Sequence, residues 1–149
     1  VLAEHEGWNE RVLLLIRAIP QDRFYNWSLF DSDPLPRWRQ GRITLLGDDA
    51  HPMLPFHGMG GAMAFEDAIV LARCLSDYRD PEQALDRYEA LREPRTRAVM
   101  LSSRAHGARL QASGPDRSTW HERIRSQGND AEPQSDWHFF DYNPATVAV

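Results

Sequence analysis

An α/β chain, α+β in the part given, is predicted by three observations. A short apolar run, Ile43 to Leu46, ends at Gly47-Asp48 and reads as a strand; a loop rich in Gly and Pro spans 48–61; and two long helical patterns follow, one over about 62–75 and one over 81 to about 110. Strand-type and helix-type periodicities in one short chain point to a mixed fold.

In chain order, Ala3 to Ile19 reads as a helix, with Trp8, Val12, Leu15, Ile16 and Ile19 at helical spacing and Pro20 as its stop. Residues 24–30 (Phe-Tyr-Asn-Trp-Ser-Leu-Phe) alternate partially and read as a strand, and 31–36, with two prolines, as a loop. Gly41 breaks the polar turn before 43–46, and that apolar run suits a strand covered on both faces. In the helix over 62–75, Phe65, Ile69, Val70, Leu71 and Leu75 are expected to form the buried face. Asp80 and Pro81 are a favourable N-cap and first-turn pair for the next helix. Leu85, Tyr88, Leu91 and Val99 mark the buried side of that helix, and Pro94 is expected to kink or break it. The arginines at 92, 95, 97 and 104 read as a solvated helix face. After Gly114 the pattern is lost, although Trp120, Trp137, Phe139, Phe140 and Tyr142 suggest that the tail docks.

The chain has 149 residues, the size of one ordinary domain. Its longest apolar run, Val12 to Ile16, is far below the roughly 20 residues a membrane span needs. The formal charge of -5 argues against nucleic acid as a partner. A single cysteine, Cys74, excludes an internal disulfide and a cysteine zinc site; a small buried residue is its expected role. With no leader pattern, the expectation is a soluble cytoplasmic protein. Val1 in place of Met suggests a piece of a longer chain.

The chemistry is concentrated in residues 41–75. A strand, a glycine loop and a helix N-terminus together suit negative charge, because the first amides of a helix lack partners within it and the helix dipole adds to their pull. A carboxylate at the strand end can accept hydrogen bonds from sugar hydroxyls. His51 is expected to hold the loop by a hydrogen bond. A metal site with Asp48, Asp49 and His57 is disfavoured for want of a helical pair of histidines.

This segment resembles the second FAD-binding motif of the group A flavoprotein monooxygenases, the salicylate hydroxylase-like members in particular. The residues that carry the resemblance are Gly47-Asp48-Asp49-Ala50-His51, Pro52, Pro55, Gly58, Gly60 and Glu66-Asp67-Ala68. Trp38 and Gly41-Arg42 flank them before, and Tyr88 to Arg92 with Pro94-Arg95 after. It covers roughly residues 5–110. The resemblance implies the C-terminal part of a flavin monooxygenase fold: the last strand of the FAD domain, the flavin loop and long C-terminal helices. Residues 1–40 would be a remnant of the substrate-binding domain, 41–111 the C-terminal part of the FAD-binding domain, and 112–149 an irregular tail.

By the same resemblance, FAD is held by Gly47, Asp48, Pro55, Gly58, Gly60, Gly61 and Ala62. Asp48 would accept from the ribityl hydroxyls, and the amides of Gly60, Gly61 and Ala62 would face flavin N1 and O2. Pro55, Phe56 and His57 would line the reaction face. The implied activity is hydroxylation of a small aromatic substrate with NADH or NADPH and O2; an epoxidase or ubiquinone-type hydroxylase on the same scaffold, or an inactive piece, are the alternatives. Asp49 departs from the small residue usual after Gly-Asp. Phe56 stands where some relatives carry a substrate-facing histidine, so His57 is either a shifted base or a polar loop residue. Met53, Met59 and Met63 either line a ring pocket or fill the core. The family's first motif, Gly-x-Gly-x-x-Gly, does not occur in these residues, so alone they are expected to hold FAD weakly.

Overall fold

The computed structural model describes residues 2–25, 27–127 and 139–149. Helix α1 (Glu10–Ala18) is followed by a hairpin, β1 (Arg39–Gln40) and β2 (Ile43–Thr44), then α2 (Gly60–Asp77), α3 (Pro81–Leu110) and α4 (Gly114–Gln127). The two strands are antiparallel, with Arg39 opposite Thr44 and Gln40 opposite Ile43.

Helices α2 and α3 form a hairpin that carries the core. One apolar cluster joins Trp38 and Ala50 to Val70 and Cys74 of α2 and Ala84 and Tyr88 of α3. A second joins Met59 and Met63 to Val99 and Phe139, with Met53 against it. Burial of a side chain such as Met63 or Val70 contributes about 1.5–3 kcal/mol. In both helices the two clusters are separated by charge: Asp67 lies between Met63 and Val70, and Arg92 between Tyr88 and Val99. The methionines at 59 and 63 are therefore core residues, as is Cys74, whose thiol burial pushes up in pKa.

Several expectations are corrected. The first helix begins at Glu10, because the Asn9 side chain accepts the Arg11 amide at 3.0 Å and caps it there; Ala3–His5 is a lone 3-10 turn. None of its residues is buried. No strand forms among the described residues of 24–30, since no described segment pairs with them, and Tyr25, Trp27 and Phe30 are exposed. The strand expected over 43–46 is two residues long and stops at Thr44; Gly47 opens a 3-10 turn instead of ending a strand. Helix α2 buries Met63, Asp67, Val70 and Cys74, whereas Phe65, Ile69 and Leu75 are exposed. Helix α3 runs unbroken through Pro94. The missing amide costs one bond, but buried residues on either side, Tyr88 and Arg92 before and Thr96 and Val99 after, hold both halves in place.

The described part of the tail includes a helix that its composition does not announce. Gly114–Gln127 is helical; a helix without an apolar stripe leaves no periodic signal to read. Of the tail aromatics, Trp137 lies outside the described residues. Phe139 is buried, Phe140 is exposed, and the Tyr142 ring lies under the Arg95 guanidinium at 3.9 Å. Among the described residues no helix is long and apolar enough to cross a membrane.

Candidate functional site

The turn at 47–51 begins at Gly47, with φ +61°, a left-handed conformation that side chains rarely adopt. The Gly47 carbonyl accepts the amides of Ala50 and His51, both at 2.9 Å. This coil turns Asp48 and Asp49 outward and Ala50 and His51 inward. Asp48 is exposed, and among the described residues its carboxylate makes no hydrogen bond or ion pair; its Oδ1 would stand 3.9 Å from a β-carbon placed on Gly60. The N-terminus of α2 beside it has no side-chain cap, and at Gly61 a β-carbon would meet nothing within 4 Å. An anionic acceptor and a set of unpartnered amide donors thus face the same open space.

Beneath this surface lies a buried charge network. Asp67 Oδ2 accepts the Gly47 amide at 3.0 Å and is 2.6 Å from His51 Nε2, and Oδ1 accepts Arg92 Nε at 2.7 Å. Arg92 also donates to Glu66 at 2.7 Å, and Arg95 grips Glu66 through two bonds of 2.7 Å. His51, Asp67 and Arg92 have no exposed side-chain surface. Burial pushes the Asp67 carboxyl up, but hydrogen bonds from His51, Arg92 and the Gly47 amide outweigh it and hold its pKa below the ordinary carboxylate value. Arg92 loses to burial and gains more from Asp67 and Glu66, so its charge is secured. The solvated face expected for the arginines is wrong for Arg92, and Arg95 is only slightly exposed. Arg104 is tied to Asp31 at 2.8 Å and Asp33 at 3.0 Å. The loop-internal bond expected of His51 goes to α2 instead.

The turn Pro55–His57 packs on α3. Pro55 is exposed, and Gly58, at φ +65°, closes the turn with its amide on the Pro55 carbonyl at 3.0 Å. Phe56 lies on Gly107, where an added β-carbon would come within 2.1 Å of a ring carbon. His57 Nε2 is 2.9 Å from Ser102 Oγ, and its ring is 5.1 Å from that of His106. Among the described residues no group of three or more His, Cys, Asp or Glu could hold a metal.

Of the residues singled out in the sequence, the structure gathers Asp48, Gly60, Gly61 and Ala62 at the open end of α2 and brings Gly47 in behind them. Phe56 and His57 it directs to α3. Asp67 and Arg92 were not among the candidates, and His51 was expected only to hold the loop. The available signal was an acid, Asp67, in register with Met63, Val70 and Cys74 on the buried stripe of α2.

A carboxylate on a tight turn, set against an uncapped glycine-rich helix start, can accept from hydroxyls and donate to an electron-rich group at one place. The model of the FAD binding domain family matches residues 30–103. The chain is 48% identical over 106 residues to a 3-amino-4-hydroxybenzoate 2-monooxygenase of Streptomyces platensis, a match covering 70% of the chain and 26% of that protein. It is 50% identical over 78 residues to 3-hydroxybenzoate 6-hydroxylase 1 of Aquipseudomonas alcaligenes, covering 52% of the chain and 20% of the relative. Among solved structures, Klebsiella pneumoniae HpxO complexed with FAD and uric acid superposes with a TM-score of 0.74 at 28% identity, over 95% of the chain and 36% of that structure. A salicylate hydroxylase substrate complex gives a TM-score of 0.63 at 31% identity, over 79% and 29%. The chain carries part of the FAD binding domain of that family, and it spans about a quarter of the length of the curated relatives it matches.

Proposed function

We propose that this chain forms the ribityl and ring end of the FAD site in an enzyme that hydroxylates a small aromatic substrate. One observation carries the reading: the exposed, unpaired Asp48 carboxylate next to the uncapped start of α2. That donor set fits the group. The carboxylate accepts from hydroxyls, and the amides of Gly60, Gly61 and Ala62 donate to electron-rich ring atoms and favour negative charge there. Open space at Gly58 and Gly61 lets a ligand approach the backbone. FAD held here would supply the redox chemistry by which electrons from NADH or NADPH and one oxygen of O2 reach an electron-rich ring. The chain's own part is to hold, orient and polarise. Pro55 is exposed at the head of the turn that precedes α2, while Phe56 braces that turn against α3.

In the full-length protein, Asp48→Ala is expected to weaken FAD binding about tenfold or more for each hydroxyl bond lost, since charged hydrogen bonds are worth about 1.5–3 kcal/mol. The melting temperature of the apoprotein should stay unchanged, because Asp48 is exposed. FAD titration decides it: unaltered affinity removes Asp48 from the site.

The turn at 55–57 separates two roles. His57→Ala should lower hydroxylated product less than tenfold, short of the roughly 10²–10⁴-fold effect of losing a general base. Phe56→Ala should divert reducing equivalents to hydrogen peroxide, because the turn loses its brace on Gly107. Nicotinamide oxidation, peroxide and product are measured together; a hundredfold loss of product in His57→Ala with FAD retained would make His57 the base.

A further inference from the structure

Asp67 makes three bonds with two oxygens. Its Oδ2 takes both the Gly47 amide and His51 Nε2, which are the two ends of the turn that carries Asp48, while Oδ1 takes Arg92. The carboxylate therefore closes the turn from below as a single pin, and α3 locks that pin through Arg92. Among the described residues Asp48 has no partner of its own to fix its direction, so its placement depends on how the backbone at 47–51 is held. We infer that Asp67 is a positioning residue for flavin binding: it aims Asp48 by gripping Gly47 and His51, and makes no contact with the cofactor. This rests on the ribityl role proposed for Asp48.

The site's atom count tells what substitution does. Asparagine offers one acceptor oxygen where aspartate offers two. If that oxygen stays on Arg92, an NH2 group faces the Gly47 amide and His51 Nε2: the Gly47 anchor is lost, and the His51 contact survives only in the other tautomer, as an acceptor. If the amide flips, Arg92 loses its acceptor. The side-chain volume is unchanged, so packing is largely kept.

The test is a cycle in the full-length protein, with FAD affinity read by quenching of flavin fluorescence in wild type, Asp48→Ala, Asp67→Asn and the double variant. A residue that acts through Asp48 loses its effect once Asp48 is gone, whereas an independent structural defect adds to it. The expectation is a tenfold loss for Asp67→Asn alone and less than twofold in the Asp48→Ala background. Equal factors in both backgrounds, or no loss in either, overturn the positioning role while leaving Asp48 in place. If Asp48→Ala itself changes nothing, the ribityl reading falls and this inference falls with it. Should Asp67→Asn melt below the assay temperature, His51→Leu replaces it in the same cycle, since it removes one end of the grip without leaving a buried donor. A loss of threefold or more that vanishes in the Asp48→Ala background supports the role, and an additive loss overturns it.

Discussion

Replacing Arg92 by Met is expected to cost the folded protein about 3–5 kcal/mol, the usual consequence of removing one partner from a fully buried ion pair. The guanidinium neutralises Asp67 at 2.7 Å and Glu66 at 2.7 Å, donates to the Met63 carbonyl at 3.3 Å, and has no exposed surface. Methionine fills similar space, so the loss is electrostatic. Glu66 keeps Arg95, but Asp67 is left with His51 and one amide.

The effect should depend on pH in a defined sense. In the wild type the Asp67 carboxyl is held below its ordinary value. Its contribution is thus complete above the unfolded carboxylate pKa of about 4 and is lost as pH falls through the lower folded value. Without Arg92, the burial that opposes the charged form is met only by His51 and the Gly47 amide, so the carboxyl pKa rises. The buried carboxylate then costs the variant more at neutral pH than in acid, where protonation relieves part of that cost. Urea unfolding at pH 7 and near pH 4 should show a gap between variant and wild type that narrows on acidification. A gap of constant size would mean that Arg92 matters through its shape alone.

Gly107→Leu is the second large effect, at about 3–4 kcal/mol from overpacking plus the exposure of a displaced aromatic ring. By helix propensity alone the change should stabilise α3 by nearly 1 kcal/mol. Space reverses the sign, because the Phe56 ring occupies the position of the first side-chain carbon. Evicting that ring unseats the Pro55–His57 turn from α3. Thermal unfolding of Gly107→Leu, alone and with Phe56→Ala, checks this: the second change should recover much of the loss. A melting point at or above wild type for Gly107→Leu would show that the ring has somewhere else to go.

How much of this was legible in the sequence follows from where each signal resides. The start of α2 and the cap of α3 were readable, since Gly60-Gly61 and Asp80-Pro81 act locally; the Asp80 side chain accepts the Glu82 amide at 3.0 Å. Faces were not. Phe65 and Ile69 carry the hydrophobic signal of α2 yet are exposed, while Asp67, the polar residue between them, is sealed in the core. Periodicity counts apolar letters, and a stripe that contains a paired acid counts as broken. Arg92 was misread for the same reason: only the acids that come to meet it, 25 and 26 residues away in sequence, make an interior arginine tolerable. Strands failed differently. Residues 24–30 have strand-forming side chains, but a strand exists only with a partner, and partnership is not a local property.

The segment 139–149 is fastened to the helical hairpin by side chains such as Phe139 and, at three points, through its main chain. Arg95 binds the carbonyl of Phe139 at 2.8 Å, Arg73 that of Pro144 at 2.7 Å, and Arg87 that of Ala148 at 2.6 Å. A carbonyl is the same in every amino acid, so at 144 and 148 these arginines measure distance along the chain and ignore identity. Divergence in this stretch should therefore keep its length and spend its freedom on the letters at 144 and 148. Substitutions at Pro144 or Ala148 leave the fastening intact, while a one-residue deletion between Phe139 and Ala148 puts the carbonyls out of step with the arginines.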